Sequence, residues 1–194
     1  MEAALAHTTG NHTEPYTAHD LLELDDGWHR FEVLDGALLV TPPPPLQHQI
    51  IADSVRDVLR DAAPPGLRVV SAVGVRLRDD GKALVPDVVV VQAGARGPLL
   101  EAEEVAAAVE IVSPSSRSID RVTKPTVYAT AGIPCYWRVE QEEFPDQGDE
   151  RLPVVLAHAL EGDCYRLTQR LPAGKAGQLD IPFPVEFDPA QLWE

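Results

Sequence analysis

Between Gln47 and about Ala62 the apolar residues Ile50, Ile51, Val55, Val58 and Leu59 return every three or four positions, and Asp53, Arg56, Asp57 and Arg60 fill the other side. That period predicts an amphipathic helix, closed by "PPG" at Pro64–Gly66. Ahead of it, "RFEVLDGALLV" has two apolar-rich arms around Asp35-Gly36 and predicts a β-hairpin. "TPPPP" at Thr41–Pro45 is a stiff connector, because proline neither continues a strand nor sits inside a helix. "TAHDLLELDDG" predicts a short amphipathic helix with Thr17 as its N-cap. Beyond the long helix, "LRVVSAVGVRLR" and "ALVPDVVVV" read as strands split by Asp79-Asp80-Gly81. The second is apolar on both faces, as a central strand would be.

Residues 92–104 read as a loop with one helical turn. "VAAAVEIVS" fits a helix or a strand by pattern, and Pro114 with the serines favours a strand ending at Ser113. "KPTVYATAG" reads as a helix with Pro125 in its first turn and Gly132 at its end. "IPCYWRVE" is a further strand, and "LPVVLAHALEGDCYRLTQRL" a second hairpin around Glu161-Gly162-Asp163. The tail, "LDIPFPVEFDPAQLW", predicts an edge strand and a short final helix. This order of elements gives an α+β or mixed α/β domain on one central sheet. Residues 1–15, polar and small, read as a disordered lead-in to one domain over residues 16–194.

The chain has 194 residues and a formal net charge of −15. That balance argues against broad electrostatic attraction to nucleic acid or anionic lipid. It leaves room for a local basic groove or an acid-lined metal site. Cys135 and Cys164 have no metal-ligand spacing, and the expectation is a reduced, cytoplasmic protein. No basic start with an apolar run marks a signal peptide, and no apolar stretch is long enough to span a bilayer, so no membrane partner is expected. Glycine-rich phosphate loops, a Gly-x-Ser-x-Gly elbow and Cys/His zinc spacing are all missing from the sequence.

Two predicted strands carry a carboxylate each, Asp87 in "LVPDVVVV" and Glu110 in "VEIVSPSS". A lone buried charge is costly. If the strands lie side by side, the two acids converge, and their repulsion raises one pKa or demands a cation. Oxygen donors of this kind suit magnesium or manganese. The alternative is that both acids sit at strand ends and face water.

The order "FEVLDG", His48 opening a helix, "VPDVVVV", "VEIVSPSS", Asp120, "TKPTVY" and "AGIPCYWRVE" resembles the Uma family of restriction-endonuclease-like proteins, within the PD-(D/E)xK nucleases. The resemblance covers roughly Tyr16–Glu140. It implies a restriction-endonuclease-like core with an N-terminal β-hairpin and extra C-terminal strands, and a metal-dependent endonuclease acting on DNA. Carried over, Asp87 and Glu110 would be the metal ligands, with the backbone carbonyl of Ile111 as a third, for Mg2+ or Mn2+. Val112 stands where the pattern has its lysine, and in this family the lysine lies on the following helix, here Lys124. Glu32 matches the acid of the N-terminal hairpin, and His48 could act as a general base or contact phosphate. Asp120 would orient Lys124 or cap its helix.

Ser113, Ser115, Ser116 and Arg117, with Arg121 and Lys124, form a local patch that could receive phosphate. Tyr128, Tyr136 and Trp137 read as core aromatics. Cutting both strands takes two sites, and an apolar edge at the C-terminal strands is compatible with a homodimer. Two other readings stay open: a catalytically inactive nuclease-fold binding module, and a metal-dependent hydrolase of a small phosphorylated molecule.

Overall fold

Alternation along one strand explains the layering of the whole molecule. In the computed structural model, which describes residues 14–24, 26–78, 81–114 and 116–194, Val109 and Ile111 pack into one apolar cluster and Ala108 into another on the opposite face. Strand residues two apart share a face, so a strand apolar on both faces must be covered twice.

The strands are β1 (Arg30–Leu34), β2 (Ala37–Thr41), β3 (Leu67–Ser71), β4 (Val75–Arg76), β5 (Lys82–Leu84), β6 (Val88–Gln92), β7 (Leu100–Glu101), β8 (Val105–Val112), β9 (Cys135–Glu140), β10 (Val154–Glu161), β11 (Cys164–Pro172), β12 (Gly177–Leu179) and β13 (Val185–Phe187). Among the described residues two α-helices accompany them, α1 (Leu46–Ala62) and α2 (Lys124–Ala131). The central sheet has the order β11-β10-β9-β8-β6-β3, with β8 and β9 parallel and the other pairs antiparallel. A smaller sheet has the order β2-β1-β5-β4-β7, and β12-β13 pair by themselves. The architecture is mixed α+β, with the N-terminal hairpin and extra C-terminal strands expected.

One face of the central sheet packs Val88, Val90, Val109, Ile111 and Trp137 against Ile51, Val55 and Leu59 of α1 and against β13. The other packs Val89, Val91, Ala108 and Tyr136 against Tyr128 and Ala131 of α2 and against Val75, Leu77 and Leu84.

Several expectations need correction. There are two larger sheets, because both long "strands" break. "ALVPDVVVV" leaves the small sheet after Leu84 and enters the central one at Val88. Pro86, which has no N–H to give a ladder, sits at the crossing. "LRVVSAVGVRLR" divides likewise, after Ser71, at Ala72 with φ 51°. Asp79 and Asp80 of the proposed turn lie outside the described residues, as do residues 1–13 of the proposed disordered lead-in and Ser115 of the polar patch.

The helix expected from Thr17 is a single 3-10 turn, Asp20–Leu22. Thr17 does not cap it. The Asp20 carboxylate instead accepts from the Thr17 N–H and hydroxyl, at 2.6 and 2.8 Å. The loop over residues 92–104 contains β7 and one 3-10 turn. The tail strand pairs with β12 rather than lying at the edge of the central sheet.

The first hairpin turns on Asp35 and Gly36, both at positive φ, as a two-residue turn of this twist needs. Gly132 closes α2 at φ 85°, and a Cβ there would stand 2.9 Å from Arg78 Nη2. Gly132→Ala is expected to lower stability by about 1–2 kcal/mol. A denaturation midpoint equal to wild type would show that the turn relaxes without cost.

Candidate active site

The crossing from the small sheet to the central one places Asp87 just ahead of β6. Since Val88 pairs with Val109, Asp87 comes opposite Glu110 across the β6–β8 ladder. The expected convergence of these two acids is therefore present.

Asp87 is buried and held from three sides. Arg30 Nη1 donates to its Oδ1 at 2.8 Å, the Ile111 N–H donates to its Oδ2 at 2.9 Å, and His48 Nε2 lies 3.2 Å from Oδ2. Burial alone would raise this carboxyl, but His48, Arg30 and Lys124 outweigh it and hold Asp87 well below the usual carboxylate range. His48 Nδ1 is buried and makes no hydrogen bond among the described residues.

Glu110 is also buried but has the opposite balance. Its Oε1 accepts from the Tyr128 hydroxyl at 2.6 Å and lies 3.0 Å from Lys124 Nζ. Desolvation raises its pKa well above the ordinary value, and nearby Asp87, Asp120 and Glu32 add to the rise against the pull of Lys124. Two facing carboxylates with pKa values driven apart are an arrangement typical of functional sites.

Lys124 is the hub. Its buried ammonium lies 3.0 Å from Glu110, 3.3 Å from Glu32 and 3.6 Å from Asp120. Burial disfavours its charge, but the acids around it, Glu110 first, raise its pKa well above that of a free lysine. Glu32 is fixed from β1 by the Val85 N–H, at 2.8 Å.

A π-helical segment, Ile119–Thr123, leads directly into α2. It puts Asp120 one turn ahead of Lys124 and on the same side. Asp120 is the N-cap of neither helical segment, those residues being Ser118 and Thr123. Burial raises its pKa too. Tyr136 donates to the Asp120 carbonyl at 2.7 Å and so anchors the segment to β9.

Asp87, Glu110, Lys124, Glu32, His48 and Asp120 thus come together, from separate elements. Ser113 follows the last residue of β8, its hydroxyl 2.8 Å from that of Ser116. Arg117 and Arg121 turn elsewhere: Arg117 pairs with Glu142, and Arg121 makes a bidentate pair with Glu140 at 2.9 and 2.7 Å. Both reach phosphate only by exchanging these partners.

Two residues of the site escaped the sequence reading. Tyr128 was read as core, yet its hydroxyl is a partner of Glu110. Asp120, Lys124 and Tyr128 recur at four-residue spacing, which was the available signal. Arg30 was not singled out, although it alternates with Glu32 on β1.

Residues 17–188 match the profile of the Uma2 family, described as "Putative restriction endonuclease". The chain belongs to the Uma2 family. A similar solved structure is "a putative nuclease belonging to DUF820 from Anabaena variabilis ATCC 29413", with 16% identity, a TM-score of 0.70, and coverage of 92% of this chain and 98% of that one. At that identity the likeness establishes a shared fold and no more. No curated protein matches the chain. Among the described residues no helix of this Uma2 member is long and apolar enough to cross a membrane.

Proposed function

We propose that the protein is a divalent-metal-dependent endonuclease that hydrolyses phosphodiester bonds of DNA. The observation that carries this reading is the pairing of Asp87 with Glu110 beside a buried lysine, in a chain of a nuclease-like family.

The donor set fits a hard cation in kind. Asp87, Glu110 and the carbonyl of Ile111 are all oxygen donors, and the Ile111 peptide is already drawn to Asp87 through its N–H. Among the described residues no three acid, histidine or cysteine side chains form a ready cation cage. A magnesium ion needs none, because it keeps several waters and takes one or two carboxylates. When bound there, the ion would polarise a phosphoryl oxygen and lower the pKa of a water.

The rest falls to the chain itself. Arg30 and His48 fix the Asp87 carboxylate in one orientation. Tyr128 does the same for Glu110. Lys124 holds an ammonium where charge develops on the phosphate, worth roughly 2–4 kcal/mol to a transition state in a water-poor site. Glu32 and Asp120 keep that lysine charged and aimed. His48 Nε2, 3.2 Å from Asp87 Oδ2, is assigned to proton transfer or phosphate contact. Ser113 is assigned to phosphate, with Arg117 and Arg121 behind it.

The test is calorimetry with Mg2+ and Mn2+, paired with cleavage of plasmid DNA, on wild type and Asp87→Ala. Wild type should bind and cut, and the variant should do neither. Binding without cutting of any DNA would favour the small-molecule hydrolase. Failure of wild type to bind either ion would leave an inactive binding module.

A further inference from the structure

Behind α2 lies a cavity of about 370 Å3, of whose lining the chemistry above uses only Arg121. It is at the lower end of the sizes that hold small molecules. Its position follows from the helix. Asp120, Lys124 and Tyr128 face the carboxylates, while the next stripe, Arg121, Pro125 and Ala129, lines the cavity. The helix is thus a shared wall. On the sheet side, Arg138 also lines the cavity and stands in register with Glu110 on the neighbouring strand, about 4.8 Å away.

The lining has two chemistries. One wall is a row of rings: Tyr136 stacks on Tyr165 at 5.5 Å between centroids and meets His158 at 5.6 Å. The ring hydroxyls are already occupied, Tyr136 on the Asp120 carbonyl and Tyr165 on the Ile133 carbonyl. The row therefore offers flat apolar surface more than hydrogen bonds. His158 Nδ1 lies 3.3 Å from the Tyr136 carbonyl, and burial with nearby Arg138 lowers its pKa to about 4. It is neutral at pH 7.

The other end is basic. Arg138 Nε lies 2.9 Å from Glu140 but off the line of its N–H, so the pair is ionic only. Arg138 Nε is buried and makes no hydrogen bond among the described residues, while the side chain as a whole is 19% exposed. Its donors suit a planar fork of acceptors such as phosphate. Two arginines share one carboxylate there, leaving one net positive charge. Asp163 also lines the cavity and adds a negative charge to it, against which Arg138 must hold the phosphate.

We propose that this cavity binds one unpaired nucleotide of the nucleic-acid substrate, its phosphate on Arg138 and its base against the ring wall. This rests on the nuclease reading and deepens it. Arg138 and Glu110 are in register on neighbouring strands, on the two sides of the α2 wall, so the enzyme would prefer strands with an unpaired nucleotide near the cut. Base recognition by stacking is sequence-tolerant.

The two free thiols provide the test without needing catalysis. Cys164 is exposed and lines the cavity, whereas Cys135 is buried and serves as an internal blank. The alkylation rate of Cys164 is measured in EDTA, alone and with a single-stranded octathymidylate, a blunt duplex, or thymidine monophosphate. The single strand should slow alkylation about tenfold or more, and the blunt duplex should not. Thr126→Trp, which fills the cavity from an exposed helix position, should abolish the protection and leave the alkylation of the free protein measurable.

Protection by the duplex equal to that by the single strand would overturn the proposal. Protection by the mononucleotide alone would also overturn it, and would assign the cavity to a free nucleotide. No protection in an enzyme that cuts plasmid would sink the cavity and leave the nuclease reading standing. Protection without cutting would uphold the cavity and count against the nuclease reading.

Discussion

Lys124→Met is expected to destabilise the protein by about 3–5 kcal/mol at pH 7, a fall in melting temperature of roughly 10 °C. The ammonium lies within 3.6 Å of Glu110, Glu32 and Asp120, and all four groups are buried. Methionine keeps the length of the side chain and removes the charge. Three carboxylates would then face each other out of water, which is the costly half of breaking a buried ion network. They can escape by binding protons. Glu110 and Asp120 already have raised pKa values, and losing the lysine removes the main force lowering them. The sign follows. A native state that holds more protons than the unfolded chain loses stability as pH rises. The cost of the substitution should therefore be small at pH 5 and largest at pH 8. Melting curves of both proteins at pH 5, 6.5 and 8, in EDTA, would show it. A variant that matches wild type at pH 8 would falsify the claim that Lys124 is what balances these acids.

How much of this could be read from residues alone varies with the physics. The facing of Asp87 and Glu110 was legible only conditionally: both sat on hydrophobic strands, but the pairing of β6 with β8 that brings them together is a long-range contact that local pattern does not fix. The long helix α1 was legible from its period, and α2 from Pro125 and Gly132. The second sheet was not. "ALVPDVVVV" reads as one strand by pattern, and only Pro86 hints that the chain changes sheets there. That break aims Asp87 at Arg30 and His48. The hub role of Lys124 was legible only through a family resemblance, since a lysine at a helix start ordinarily faces water. Tyr128 shows the limit of pattern reading. A tyrosine flanked by valine and alanine on a helix reads as core, and it is core. Its hydroxyl finds Glu110 only because the π-helical segment sets the rotation of α2, and nothing in the local spacing announces that segment.

Glu110→Gln is expected to abolish DNA cleavage, by about 10^3-fold or more, and to make the metal-free protein more stable. Glutamine keeps an oxygen that can accept from Tyr128 and Lys124 and removes one negative charge from a cluster that also contains Asp87, Glu32 and Asp120. The gain should be about 1 kcal/mol at pH 8. Its pH dependence is distinctive. Glu110 titrates near 4.5 when unfolded and well above that when folded. Across that window the native protein holds the extra proton, so wild type loses stability as pH rises. Glutamine has no proton to lose. The two proteins should melt together near pH 4.5 and separate progressively above it. Asp87, whose pKa is lowered in the fold, loses its contribution as pH falls, in both proteins alike, and cancels in the comparison. Added Mg2+ should reverse the order. A ligand that binds only the folded state adds about 2.7 kcal/mol at a hundred times its dissociation constant, and wild type alone should gain it. A wild type more stable than the glutamine variant at pH 8 in EDTA would mean that Lys124 overcompensates the acids. A gain from Mg2+ in both would move the metal away from Glu110. If both expectations hold, the strained carboxylate is kept at a cost in stability because the cation that relieves it is the one the reaction uses.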